Sequence, residues 1–145
     1  MYLFSGRRDH KIDGKDRVVI PSGYAAEIVA HGQATLYLTP GERGPYLEAY
    51  PGDVFQAKAH KDEPDRFDPD LERKREFVGN AEPCEVNGPG RITIPERFRA
   101  LFPNGEVRVV GMVSYLELWD PRLWDEKYGD GIRGLPGGKP ARTSS

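Results

Sequence analysis

One short pattern appears twice in this chain: IDGKDRVVIP, from Ile12 to Pro21, returns as VNGPGRITIP, from Val86 to Pro95. Arg17 and Arg91, Ile20 and Ile94, and Pro21 and Pro95 share one offset of 74 (91 − 17). Repetition at a fixed spacing constrains the fold more than any single motif, because a unit too small to bury its own apolar face is stabilised by packing against its copy. The echo continues as YLEAY (Tyr46 to Tyr50) and YLELW (Tyr115 to Trp119), now at an offset of 69 (115 − 46), which Phe55 and Trp124 keep. The first copy therefore holds five more residues (74 − 69). The Gly- and Pro-rich turn from Thr39 to Pro45 is expected to hold them, since exposed turns tolerate insertions.

A chain of 145 residues, 37% hydrophobic and 30% charged, fits one domain or two small halves that share a core. Either half alone would be marginally stable, so the economical arrangement is a pseudo-dimer within one chain. Each copy reads alike. A first strand ends near Ile12 or Val86, and a four-residue turn of Gly, Asp, Asn and Pro follows. A β-branched strand comes next, Arg17 to Ile20 or Arg91 to Ile94. Pro21 and Pro95 stop these strands and open helices, Gly23 to Ala30 and Glu96 to Phe102. Two closing strands follow in each copy: Ala34 to Thr39 with Tyr46 to Tyr50, and Glu106 to Val110 with Ser114 to Trp119. Helices are expected over Gly52 to His60, from an Asp68-Pro69 cap to about Phe77, and from an Asp120-Pro121 cap to Tyr128. The boundaries are 1–60 for the first module, 61–76 for a charged linker and helix, 77–128 for the second module and 129–145 for a disordered tail.

Charge directs attention to the turns. The formal net charge of −2 argues against a protein that coats nucleic acid indiscriminately. Its distribution is uneven: Arg7, Arg8, Lys11, Lys15 and Arg17 crowd the first module against Asp9, Asp13 and Asp16. Arg17 and Arg91 stand where the turns enter their strands, which fixes their direction. An arginine fork can grip a phosphate or bond guanine O6 and N7, and a two-stranded ribbon or its turn can enter the major groove. The alternative is that these arginines pair with Asp13 or nearby carboxylates merely to lock the turn. Duplication favours binding. Because Lys15, Arg7 and Arg8 surround the first site, Arg17→Ala is expected to weaken binding more than Arg91→Ala.

The duplicated turn, the strand ending in Ile-Pro, the amphipathic helix behind it and the LE-x-W/Y strand together resemble the MraZ family of bacterial transcription regulators, of the AbrB-type swapped-hairpin superfamily. The resemblance runs from Met1 to about Tyr128. It implies an α+β, mainly β fold: two tandem AbrB-like swapped-hairpin β-barrel modules forming an intrachain pseudo-dimer with flanking short helices. It further implies that the D-x-x-x-R turn contacts double-stranded DNA. On that reading the DNA-binding residues are Asp13, Lys15 and Arg17 in the first copy and Arg91 in the second, with Arg7 and Arg8 in support. Asp16 stands where the family has glycine, and Asn87 where it has aspartate. The family's ring-shaped homo-oligomers imply successive protomers on repeated sites, and its genes imply action on the promoter of a division and cell-wall cluster.

Other chemistry finds little footing. His10, His31 and His60 lack metal-ligand spacing and read as surface or cap residues. Cys84, the sole cysteine, excludes an intramolecular disulfide and suits a small buried role. Gly88-Pro-Gly90 lacks the ending of a phosphate-binding loop and reads as a hairpin turn. Tyr115, Trp119, Trp124 and Phe98 have core spacing rather than that of a base-stacking platform. No enzyme, cofactor, metal or small-molecule substrate is expected. With no signal-peptide core or membrane-spanning run, a cytoplasmic, nucleoid-associated protein is expected. A second reading is an antitoxin-like interaction protein of the same superfamily, which would bind its partner through the tail.

Overall fold

The computed structural model describes residues 1–61 and 71–134, and no helix among them is long and apolar enough to cross a membrane. The elements are β1 (Arg7–Lys11), β2 (Arg17–Val19), α1 (Ser22–Ala30), β3 (Thr35–Pro40), β4 (Leu47–Pro51), α2 (Gly52–His60) and α3 (Leu71–Gly79). They continue with β5 (Glu82–Glu85), β6 (Arg91–Thr93), a 3-10 helix (Glu96–Leu101), β7 (Glu106–Gly111), β8 (Leu116–Trp119) and α4 (Pro121–Tyr128). The fold is mixed α+β, built mainly on an antiparallel sheet. The expected Asp68-Pro69 cap lies outside the described residues, as does the tail from residue 135 onward.

Six strands form one antiparallel sheet in the order β1-β7-β8-β4-β3-β5, while β2 and β6 form a separate two-stranded ribbon. The first strand of each copy pairs with the other copy: β1 with β7, and β5 with β3. The registers obey one pseudo-two-fold rule. His10 faces Val107 and Cys84 faces Leu36, Val18 faces Ile92, and Glu48 faces Glu117. The barrel expected of each module is absent, because β1 and β5 end at opposite edges of the sheet. Closing a barrel takes enough strands with the right stagger, and a copy that lends its first strand to its neighbour keeps too few.

The registers also correct the position of the insertion. His10 and Cys84 are 74 apart, but their partners Val107 and Leu36 are 71 apart (107 − 36). Three of the five extra residues have therefore entered before β3. They lengthen α1 to nine residues where the second copy has a six-residue 3-10 helix, not the expected α-helix. Only two fall in the β3–β4 turn. A six-residue segment ending just before Pro103 suits the tighter 3-10 winding, which occurs in short pieces. Elsewhere the expected bounds agree closely: α2 covers Gly52–His60, and Asp120 caps α4, its side chain accepting from the Arg122 amide at 3.3 Å.

Alternation along the strands separates two faces. Leu36, Leu38, Leu47, Ala49, Val107, Val109, Leu116 and Leu118 point to one face, where the ribbon, α1 and the 3-10 helix cover them. Val18, Ile20, Ile92 and Ile94 seal this core from the ribbon side, each almost fully buried. Cys84 belongs to the same core, where burial pushes its thiol up to about 11. The opposite face carries Tyr37, Tyr50 and Trp119 under the helices. Tyr37 stacks on Phe55 of α2 (4.3 Å), Phe55 on Phe77 of α3 (5.2 Å), and Trp119 meets Trp124 of α4 edge-on (5.3 Å). The repeated LE-x-Y/W pattern is thus a strand that alternates between two buried layers.

Candidate nucleic-acid interface

The ribbon is only three residues wide on each strand, yet its alternation sorts its side chains cleanly. Val18 and Ile92 point into the core with no exposure, so Arg17, Val19, Arg91 and Thr93 occupy the outer face. Arg17 pairs with Thr93 and Arg91 with Val19. The two arginines are therefore diagonal neighbours on one face, with Cα atoms roughly 7–8 Å apart. A ribbon of this kind is narrow enough for a major groove about 12 Å wide.

The turns that deliver the arginines share a backbone and differ in side chains. In the first, the Asp13 amide donates to the Arg17 carbonyl (2.9 Å) and the Asp16 amide to the Asp13 carbonyl (3.1 Å). In the second, the Asn87 amide donates to the Arg91 carbonyl (3.0 Å) and the Gly90 amide to the Asn87 carbonyl (3.1 Å). Each turn is also pinned to the far strand: Ile94 donates to the Asp16 carbonyl and Ile20 to the Gly90 carbonyl, both at 2.7 Å. Asp16 adopts a left-handed φ of 58°, and Gly90 one of 95°. Aspartate tolerates that region better than most residues, which is why the first turn keeps its shape without glycine.

Asp13 organises the first turn. One carboxylate oxygen accepts from the Lys15 and Arg17 amides, each at 2.9 Å, and the other accepts from Arg17 Nε at 2.8 Å. The Arg17 amide, foremost among these donors, holds the Asp13 carboxyl below the usual carboxylate range. The second turn lacks this arrangement. Among the described residues Arg91 has no carboxylate partner, and its Nε is buried without a hydrogen bond. Among the described residues its guanidinium makes no hydrogen bond or ion pair.

Asp13, Lys15 and Arg17 come together in the first turn, and Arg91 joins Arg17 on the ribbon face. Arg7 and Arg8 do not join them. They begin β1, some six residues before Asp13, or roughly 20 Å at the rise of a strand. Arg7 donates to the Gly129 and Asp130 carbonyls (3.4 and 3.3 Å), and Arg8 to the Arg7 carbonyl. The start of the expected tail is accordingly bonded to the body of the protein.

The mixed charge cluster of the first module separates into discrete pairs. Asp9 accepts from Nε and Nη2 of Arg108 (2.7 and 2.9 Å), whose Nη1 donates to Asp125 (2.6 Å), Asp13 takes Arg17, and Asp16 takes Arg99 at 3.3 Å. Arg99 and Arg108 escaped the sequence reading because they belong to the other copy. Alignment at the offset of 74 does carry a signal for Arg99, since it places Ala25 opposite it, just as it places Gly90 opposite Asp16. Among the described residues no cluster of His, Cys, Asp and Glu could hold a metal ion.

Comparison with known proteins finds sequence relatives over most of the chain. Residues 77–130 match the family model described as "MraZ protein, putative antitoxin-like". A transcriptional regulator MraZ from Shewanella piezotolerans is 33% identical over 129 residues, spanning 86% of this chain and 84% of the relative. One from Desulforapulum autotrophicum is 31% identical over 126 residues, with 86% and 85% covered. One from Pseudomonas aeruginosa is 28% identical over 144 residues, with 95% of each covered.

Proposed function

The chain belongs to the MraZ family, whose members named above are transcriptional regulators, and we propose that it regulates transcription by binding double-stranded DNA through the outer face of the β2–β6 ribbon. The observation that carries this reading is the placement of Arg17 and Arg91 as diagonal neighbours on one face, above a core that fixes the ribbon. Two arginines so placed supply forks for guanine edges or for phosphates on either side of a groove. Lys15, exposed in the first turn, adds a phosphate contact.

On this reading the repeats are swapped-hairpin modules, spanning 1–60 and 77–128, that form a pseudo-dimer. The reciprocal pairing of β1 with β7 and β5 with β3 supports that description. The target is the promoter of the chain's own division and cell-wall gene cluster, and the protein acts in the cytoplasm at the nucleoid. Copies arranged in a ring would present equivalent ribbons to repeats about 10 base pairs apart, where the same groove face recurs.

Fluorescence anisotropy with DNA from upstream of the gene and a scrambled duplex, at near-physiological salt, tests the reading, because non-specific phosphate attraction is weak there. A clear preference for the upstream DNA is expected. Equal or absent binding would overturn it and direct the search to protein partners.

A further inference from the structure

The two turns meet the opposite copy's helix with two different pairs of residues. At the second turn Gly90, with φ of 95°, approaches Ala25 of α1 so closely that a Cβ on Gly90 would lie 3.3 Å from the Ala25 methyl. At the first turn the equivalent positions are Asp16 (90 − 74) and Arg99 (25 + 74). There Arg99 Nε donates to Asp16 Oδ1 at 3.3 Å, and its Nη1 donates to the Phe102 carbonyl at the end of the 3-10 helix. Where the second copy sets glycine against alanine, the first sets aspartate against arginine. Both members of the pair differ between the copies, while the backbone bonds of the turns, Ile94 to Asp16 and Ile20 to Gly90, are the same.

We propose that Arg99 is a positioning residue for the first turn, acting from the opposite copy: it holds the Asp16 carboxylate aside so that Arg17, already paired with Asp13, and Lys15 meet DNA without a second free carboxylate beside them. This rests on the proposal that the ribbon binds DNA. A free carboxylate one residue from Arg17 would repel a nearby phosphate and compete with it for the arginine fork. By pairing with Asp16, Arg99 reduces both. Bonding to the Phe102 carbonyl fixes the arginine stem, and the guanidinium satisfies one of the carbonyls that a helix end leaves open. The pair also sets Asp16 in its left-handed conformation, which no glycine provides at this turn.

Four proteins test this: the wild type, Arg99→Ala, Asp16→Gly and the double variant. Arg99→Ala should weaken binding to upstream DNA roughly 2- to 10-fold, the lower part of the coupling range between directly paired side chains, as suits a partly exposed pair. Asp16→Gly should bind at least as well as the wild type, and in its background Arg99→Ala should change affinity less than 2-fold. An equal loss in both backgrounds would overturn the proposal, since Arg99 would then act independently of Asp16. No loss in either would also overturn it. Amide exchange at Lys15 and Arg17 separates this from failure of the DNA reading. Should the wild type show no DNA preference, Arg99→Ala must still speed exchange at those amides, leave Arg91 unchanged and lose its effect with Asp16→Gly; unaltered exchange would reject the pairing role.

Discussion

The first turn is held by charge and the second by glycine. Asp13 gathers two backbone amides and the Arg17 side chain, and Asp16 is met by Arg99. The second turn has two positive-φ glycines, Gly88 and Gly90, and gives Arg91 no carboxylate among the described residues. Both present an arginine on the same ribbon face, so the backbone geometry is what the copies share and its chemical support is not. The difference has a functional side. Arg17 must share its guanidinium between Asp13 and any ligand, whereas Arg91 has no such partner among the described residues.

That contrast reverses the order expected from the sequence. Arg91→Ala should weaken DNA binding by about 1–3 kcal/mol, roughly 5- to 150-fold in Kd. Arg17→Ala should cost less, because Arg7 and Arg8 lie far from the turn and Asp13 already neutralises Arg17. Anisotropy titrations of the two single variants decide the order, and a larger loss at Arg17 would show that its pairing with Asp13 does not limit its hold on DNA.

Gly90→Ala should destabilise the protein by about 1–2 kcal/mol, the cost of placing a Cβ in left-handed backbone. It also meets the Ala25 methyl at 3.3 Å. Asp16→Gly carries no such penalty. Chemical denaturation of both variants measures the asymmetry, and similar losses would show that the turns tolerate side chains alike.

The other end of the pseudo-two-fold responds to acid in the opposite sense from the first turn. Glu48 and Glu117 face each other across β4 and β8, and burial pushes both carboxyls up despite donors from Tyr50 (3.0 Å) and Trp119 (2.9 Å). Groups whose folded pKa is raised contribute stability below their unfolded pKa and lose it as pH rises through the folded value. Glu117→Gln should therefore raise the Tm by a few degrees at neutral pH, an advantage that fades in acid. An unchanged Tm at neutral pH would show that the buried carboxylate carries no penalty.

Asp13 has a depressed pKa, so its contribution is complete above the unfolded aspartate value, about 3.9, and is lost as pH falls through the lower folded one. The effect is local and the smallest of the four. Amide exchange corrected for intrinsic rates should show Lys15 and Arg17 losing protection in acid while Arg91 keeps its own. Parallel loss at all three would mean that Asp13 does not hold the turn.

Local features were legible because they are written in adjacent residues. Pro121 following Asp120 marks the start of α4, and the four-residue turns with their β-branched strands are spelled out in both copies. What escaped the sequence was non-local. The pairing of β1 with β7 joins residues about a hundred positions apart, and nothing in Arg7 to Lys11 encodes the partner. The same distance hid the Arg108–Asp9 and Arg99–Asp16 pairs, so charges that looked like one crowded patch proved to be separate bridges. Composition points to the turn for the insertion, whereas α1 holds most of it, because a helix can lengthen as readily as a loop can.

Whether one ribbon face presents both arginines to DNA is decided by the Arg17→Ala/Arg91→Ala variant titrated against upstream DNA over a range of salt. With folding intact by thermal unfolding, preference for the upstream sequence should disappear. If both arginines contact phosphates, the slope of log K against log salt should also become shallower by at least about 1.8, the release expected for two phosphate contacts. A double variant that keeps wild-type preference and slope would contradict the account and place the DNA-binding surface elsewhere.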